Sequence, residues 1–249
     1  MVPVAPMRKE AAHRTEMVSQ LLFGEIAEVL EETLLFTRIR CLYDGYEGWC
    51  QKTQLAEIDI NRVDLQKKQL TANWLNAASL NGYPMYLSLG TPLTIFNDSK
   101  AQIGNYTLSY SGKIQNPETA VFTEEAIKSV SMLYLNTGYL WGGRSVFGID
   151  CSGFVQQVFR FFNKHLPRDA YQQAEQGEVV GFLQEVKCGD LAFFDNEEGK
   201  ITHVGLLFDE KTIIHSSGKV RIDPIDNMGI VSSDTGERTH KLRVIKRYY

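Results

Sequence analysis

The chain is poor in the features that would tie it to a membrane, a nucleic acid or a metal. No apolar run approaches the roughly 18 to 20 residues of a membrane-spanning helix. The start, Met1-Val-Pro-Val-Ala-Pro-Met-Arg8, has neither the charged n-region nor the apolar h-region of a signal peptide. The expected location is therefore cytoplasmic, or periplasmic or secreted if a leader has been removed. Basic blocks are missing too: 26 Lys and Arg against 30 Asp and Glu leave a net charge of −4, spread along the chain, which argues against nucleic acid or an anionic membrane as partner. Its cysteines, Cys41, Cys50, Cys151 and Cys188, form no CxxC or Cys/His zinc spacing and no disulfide framework. Cys41 and Cys50 can approach across a turn, but free thiols are the simpler reading. Nothing calls for a cofactor. The 249 residues are 43% hydrophobic, enough for a core that needs no metal or disulfide.

What the first half does contain is short β-forming segments punctuated by turns. Residues 1 to about 15 carry prolines and charges and read as an arm that wraps rather than folds alone. Strand is favoured over helix from Glu16 to Glu32, because Gly24 interrupts the helical spacing. Thr33 to Leu42 followed by Tyr43-Asp-Gly-Tyr-Glu-Gly-Trp49 predicts a hairpin with Asp-Gly turn chemistry. Further strands are expected over Thr71–Leu80 and Tyr83–Leu89 around the Asn81-Gly82 turn, then over Leu93–Asn97 and Asn105–Ile114. This predicts small all-β barrel or meander units over 1–60, arm included, and 61–115.

The composition changes near Gln115-Asn-Pro-Glu118. Thr123 is placed to cap a helix with Glu124 and Glu125 in its first turn, ending before Gly138. A second helix follows Asp150, with Phe154, Val155, Val158, Phe161 and Phe162 at the spacing of a buried stripe. Cys151 stands at its start and Asp150 is placed as its N-cap, so the helix N-terminus would favour a charged, reactive thiolate. Strands are expected over Asp190–Phe194, Ile201–Phe208, Thr212–Ser216, Val220–Ile222 and Leu242–Tyr248, giving an α+β domain over 116–249. A hairpin centred near Asp209 would put His203 opposite His215 on one face. If that face meets the Cys151 helix, a nucleophile, a base and an orienting group converge. Singly, each of these residues is more often a buried thiol or a hydrogen-bonded histidine. A metal site is disfavoured, since one cysteine and two histidines find no convincing further ligand.

Tyr139-x-Trp-Gly-Gly, Gly148-x-Asp-Cys-Ser-Gly153, Leu166-Pro-Arg168, Gly189-Asp-Leu-x-Phe-Phe194, His203-Val-Gly and Ile214-His215 resemble, in order and spacing, the NlpC-type papain-like cysteine peptidases of bacterial peptidoglycan. The resemblance covers roughly residues 118 to 249. Asp44-Gly-Tyr-Glu-Gly-Trp49, with Arg14–Gln20 before it, is similar to the bacterial SH3-like domain of the γ-D-glutamyl-L-diamino acid endopeptidases of that group. It implies an α+β papain-like catalytic domain preceded by small all-β SH3-like barrel domains. It also implies Cys151 as nucleophile, His203 as general base, His215 as the orienting residue and Tyr139 as an oxyanion donor. Asp150 and Ser152 match substrate-binding positions, and Trp141 is a further substrate-binding candidate whose plain structural role would be a lid over the glycine turn. The implied substrate is a murein stem peptide, L-Ala-γ-D-Glu-diamino acid, cut after D-Glu when its alanine amine is free. Glu16 and Tyr46 are the candidates to read that amine, with Tyr43 and Asp44 as substitutes. Two departures stand out: Cys188 where the family often has proline, and Ala170 where some members have a serine that touches substrate. The competing readings are an amidase or acyltransferase acting on another amide or ester, and a wall-binding protein without catalysis. Oligomeric state is open, with a monomer plausible.

Overall fold

Short β-formers separated by Gly, Asn and Asp turns fold into antiparallel sheets over the first 115 residues of the computed structural model, which describes Met1–Tyr249 apart from the Arg62 side chain. One unit comprises Met1–Ala120, Trp141–Phe147 and Arg160–Asn163. It holds β1 (Val4–Arg8), β2 (Met17–Leu22), β3 (Ala27–Glu32), β4 (Phe36–Cys41) and β5 (Glu47–Gln51), in the order β2-β1-β5-β4-β3. The N-terminal residues are thus no loose arm. Ala5 and Met7 alternate into the core beside Ile39, Cys41 and Cys50, and the burial more than offsets the prolines that obscure the strand. Pro6 is tolerated because β1 registers with β5 only at Arg8↔Trp49, so its missing N–H faces an open part of the ladder.

In the same unit, β6 (Leu70–Thr71), β7 (Leu75–Leu80), β8 (Tyr83–Ser88), β9 (Lys100–Ile103), β10 (Tyr106–Tyr110) and β11 (Ile114–Gln115) form a four-stranded sheet, β8-β7-β10-β9, and a β6–β11 pair. Asn81 and Gly82 have φ of 51° and 84°, as a tight two-residue hairpin turn requires. The expected strand over Leu93–Asn97 is absent. Leu93 and Phe96 instead bury side chains from a turn, while Asp98 and Ser99, both at positive φ, redirect the chain into β9. Cys41 and Cys50 are free buried thiols.

A buried charge cluster closes this unit. The Glu25 carboxylate, 1% exposed, accepts bonds from Arg144 of β12 (Arg144–Ser145) at 3.0 and 3.1 Å and from Arg160 at 2.6 Å. Tyr43 lays its ring 4.0 Å from the Arg160 guanidinium carbon and 5.4 Å from that of Arg144. Burial alone would raise the Glu25 carboxyl, but Arg144, Arg160 and the Leu22 N–H outweigh it and hold the group below its usual range.

The second unit comprises Val121–Leu140, Gly148–Phe159 and Lys164–Tyr249. Its α1 (Glu124–Met132) begins as expected, the Thr123 hydroxyl accepting from the Ala126 N–H. After β13 (Gly148–Ile149) come α2 (Cys151–Arg160) and α3 (Ala170–Ala174). The sheet is built from β14 (Glu178–Val180), β15 (Leu191–Asp195), β16 (Ile201–Asp209), β17 (Thr212–Ser217), β18 (Lys219–Asp226), β19 (Gly229–Val231) and β20 (Arg238–Arg247). The order is β14-β20-β15-β16-β17-β18-β19, and β20 also pairs with β19, so the sheet curls back on itself. The expected apolar stripe of α2 is part of a helix buried all round: Phe154, Val155, Gln156, Gln157, Val158 and Phe159 are all fully covered. The fold class is α+β. Among the described residues no helix is long and apolar enough to cross a membrane.

Candidate active site

Cys151 is the first residue of α2 and is 7% exposed. The turn before it is locked by Asp150, whose Oδ1 accepts from the Gly153 N–H at 2.7 Å, which is the N-cap placement the sequence predicts. Asp150 does more than cap. Arg168 donates to both of its oxygens, at 3.1 and 2.5 Å, and to the Ser152 hydroxyl at 2.9 Å. Gln173 of α3 ties the Ser152 carbonyl to that of Pro167. The helix start is therefore held from the loop and helix that follow it, and Arg168, part of a sequence motif but not nominated for the site, is its main brace.

The Val204 and Ser152 N–H groups lie near the Cys151 sulfur and favour its anion, which places it against β16 one residue beyond His203. Burial, then the Asp150 charge, push the thiol up to about 12 despite these N–H groups and Arg168. The thiolate expected from the helix dipole is thus not the resting form: desolvation of the anion outweighs a dipole contribution worth about 0.3–1 kcal/mol at exposed sites and up to about 2 kcal/mol when partly buried. Burial, His215 and His240 hold His203 well below its ordinary value, so thiol and imidazole rest as a neutral pair.

His203 Nε2 and His215 Nδ1 are 2.8 Å apart and both rings are buried. The register behind this contact differs from the one expected. His215 pairs across the ladder with Gly205, not His203, because the turn holds two residues, Glu210 and Lys211, with an irregularity between Leu207 and Asp209. The two-residue offset keeps both imidazoles on one face, and Gly205 leaves the gap through which they meet. A Cβ at Gly205 would lie 2.6 Å from Ile213 Cδ1 and 2.9 Å from His215 Cβ. Gly205→Ala is expected to cost about 1–3 kcal/mol of stability and to lower turnover by displacing His215. Thermal unfolding and kcat measured together check it.

Two further residues belong to this cluster and were not visible in the sequence. His215 Nε2 lies 2.9 Å from Asp223 Oδ2 on β18. His240 on β20 stacks on the His203 ring at 4.1 Å and 27°, its own ring lowered to about 4 by burial and by His215. No local pattern marks either, since each comes from a separate strand. His203, His215 and His240 each bring a ring nitrogen within 4.8 Å of the others, a set that could hold a metal. Four of their six ring nitrogens are occupied within the protein, though: His203 Nε2 and His215 Nδ1 by each other, His215 Nε2 by Asp223, and His240 Nδ1 by Thr239 at 2.9 Å.

Tyr139 is 37% exposed, and partial burial of its hydroxyl followed by the nearby Cys151 and Asp150 charges raises that group to about 12, so it stays a donor. In the first unit, Trp141 is 59% exposed and its indole N–H donates to Glu16 Oε1 at 2.9 Å. Lys9 lies 3.8 Å from the other Glu16 oxygen. Tyr46 packs against the Ala5–Cys41 core, and Asp44 turns its carboxylate to the Tyr46 N–H at 3.1 Å. Tyr43 lies under the two guanidiniums, so of the two tyrosines it is the less suited to meet a ligand. Ala170 begins α3 and is buried, and Cys188 is half-exposed with its thiol 3.9 Å from the Glu124 carbonyl.

Sequence profiles match in two places: the NlpC/P60 family over residues 136–238 and the bacterial dipeptidyl-peptidase Sh3 domain over residues 7–55. A gamma-D-glutamyl-L-lysine dipeptidyl-peptidase of Bacillus subtilis is 46% identical over 96 residues, 38% of this chain and 32% of the relative. The match thus spans about a third of that relative's length. A probable endopeptidase of Haemophilus influenzae is 34% identical over 137 residues, 54% of this chain and 83% of the relative. Dipeptidyl-peptidase 6 of Lysinibacillus sphaericus is 24% identical over 259 residues, 90% of this chain and 89% of the relative. The crystal structure of an NlpC/P60 family protein from Bacillus cereus superposes with a TM-score of 0.78 at 20% identity, over 93% of this chain and 82% of that one, which shows a shared fold.

Proposed function

Because the chain belongs to the NlpC/P60 family, we propose that it is a cysteine peptidase that hydrolyses the γ-D-glutamyl-L-diamino acid bond of peptidoglycan stem peptides bearing a free N-terminal L-Ala, releasing L-Ala-γ-D-Glu. The observation that carries the reading is the buried Cys151 sulfur beside Val204, on the strand that presents His203 bonded to His215. The Cys151 sulfur attacks the γ-glutamyl carbonyl as its proton passes to His203, a coupled transfer suited to a pair that rests neutral. Charge develops on the carbonyl oxygen, and the Tyr139 hydroxyl and the Cys151 backbone N–H are the donors assigned to it. His203 returns its proton to the departing amine of the diamino acid. Water, deprotonated by the same imidazole, then cleaves the thioester. Asp150 and Ser152 are assigned to the substrate side of the helix start, with Arg168 as their brace.

Selection of a free amine is assigned to Glu16 and Tyr46, with Trp141 orienting the Glu16 carboxylate through the 2.9 Å bond. Such selection would direct the enzyme to released peptides in wall turnover or recycling. Free and N-acetylated L-Ala-γ-D-Glu-diamino acid tripeptides, compared by mass spectrometry, test the reading. The free peptide should be cut after D-Glu and the acetylated one left intact, with Glu16→Gln raising KM for the free peptide by about 10-fold or more, as expected for loss of a charged hydrogen bond. Equal cleavage of both would remove the amine site. Cleavage only of other amides or esters in a parallel panel would favour an amidase or acyltransferase.

A further inference from the structure

The His203–His215 pair is polar at both ends, and the direction of its hydrogen bonds decides whether it can act as a base. An imidazole carrying one proton donates from one nitrogen and accepts at the other. His203 Nε2 and His215 Nδ1 face each other at 2.8 Å, and two relays are compatible with that distance. In one, His203 donates to His215 and keeps a lone pair on Nδ1. In the reverse relay His203 carries its proton on Nδ1 and is useless as a base.

The far end of the relay breaks the tie. His215 Nε2 meets Asp223 Oδ2 at 2.9 Å, and a carboxylate only accepts, so the His215 proton belongs on Nε2. Asp223 is itself held from the opposite side. Arg221 Nη2 and the Ser233 N–H both donate to Oδ1 at 2.9 Å, and Arg221 Nε lies 2.8 Å from Oδ2. Arg221 is anchored in turn by Asp234 at 2.7 Å. Burial would raise the Asp223 carboxyl, but the bonds from His215, Arg221 and Ser233 outweigh it and keep the group ionised well below the usual carboxylate range.

Resting on the peptidase reading above, we propose that Asp223, clamped by Arg221, is a positioning residue that sets the tautomer of both histidines, so that His203 donates through Nε2 and presents its Nδ1 lone pair for the Cys151 proton. Asp223 touches neither substrate nor thiol; it acts through His215. Its place on β18 puts it directly beside β17, which carries His215, with Arg221 opposite His215 in register. Asp223 and Arg221 are therefore part of the sheet, and Ser233 and Asp234 join them from the turn between β19 and β20.

Asp223→Asn reverses the relay. Its one carbonyl oxygen is best placed at the Oδ1 position, where the Arg221 and Ser233 donors converge, which turns the amide NH2 toward His215 Nε2. His215 then carries its proton on Nδ1, donates to His203 Nε2, and leaves His203 with an N–H in place of its Nδ1 lone pair. The effect should appear in two independent readouts. In 15N-histidine NMR of the whole protein, the His203 and His215 signals of the parent should report protons on Nε2, and those of Asp223→Asn should report protons on Nδ1. In steady-state assays with the free tripeptide, kcat should fall by about 10⁴-fold, as when an amide in place of the carboxylate behind a catalytic histidine imposes the wrong tautomer, with KM little altered. Arg221→Gln, which leaves the carboxylate, should keep the parent tautomers and so separates orientation from loss of the clamp; it also provides the test if Asp223→Asn fails to fold. Unchanged tautomers and unchanged kcat in Asp223→Asn, or reversed tautomers in Arg221→Gln, would overturn the assignment. The NMR readout needs no substrate, so loss of the peptidase reading itself, seen as retained turnover in Cys151→Ala, is recognisable separately.

Discussion

Cys151→Ala is expected to reduce release of L-Ala-γ-D-Glu by about 10⁴- to 10⁶-fold, the range found when the nucleophile of a covalent mechanism is removed, while leaving the fold in place. The physical basis is local. Asp150 caps α2 through the Gly153 N–H and is braced by Arg168, and neither contact involves the sulfur. Removing one buried sulfur atom should therefore lower the unfolding temperature by only about 2–4 °C, corresponding to roughly 1 kcal/mol in a chain of this size. Peptide turnover followed by mass spectrometry, alongside calorimetry, gives both numbers. Turnover within about 10-fold of the parent would remove Cys151 from the chemistry, because no other group in a covalent mechanism could replace it to that degree.

The second large effect concerns stability. Glu25→Ala should destabilise the protein by about 3–5 kcal/mol, the cost of leaving buried charges without their partner. Arg144 is fully buried and Arg160 nearly so, and both converge on this one carboxylate. The sign of the pH dependence follows from the lowered carboxyl of Glu25. Its contribution is fully present above the ordinary glutamate value and is lost as pH falls through the lower folded value. Parent stability should therefore drop on acidification below about pH 4.5, and Glu25→Gln should flatten that part of the profile while lowering the plateau at neutral pH. Urea unfolding at a series of pH values tests both statements. An unchanged neutral plateau in Glu25→Gln would mean that the cluster is stabilised by packing around Tyr43 rather than by its charges.

The features legible in the sequence are those set within a few residues. Thr123 and Asp150 both cap as their side-chain chemistry predicts, Asn81-Gly82 makes its tight turn, and Cys151 opens a buried helix. Misreadings arose where local cues conflicted with distant partners. Pro3 and Pro6 hid the first strand, which owes its existence to the core that Ala5 and Met7 enter. Leu93 and Phe96 look like strand residues but serve the same burial from a turn. Around the candidate site, periodicity placed His203 and His215 on one face, but only the observed turn length shows that His215 stands opposite Gly205.

The sequence by itself determined the α+β class, the start of the Cys151 helix and the placing of two histidines on one face of a hairpin, because caps, turns and period-two alternation are short-range properties of the chain. Tertiary structure decided what those groups are charged with and what they touch. Burial, a property of everything packed around a residue, turned an expected thiolate into a thiol raised to about 12. Strand order, set by which faces can be buried together, delivered Asp223 and His240 to the imidazoles from β18 and β20. Two arginines far along the chain joined Glu25 only because desolvated charges must find partners within the fold.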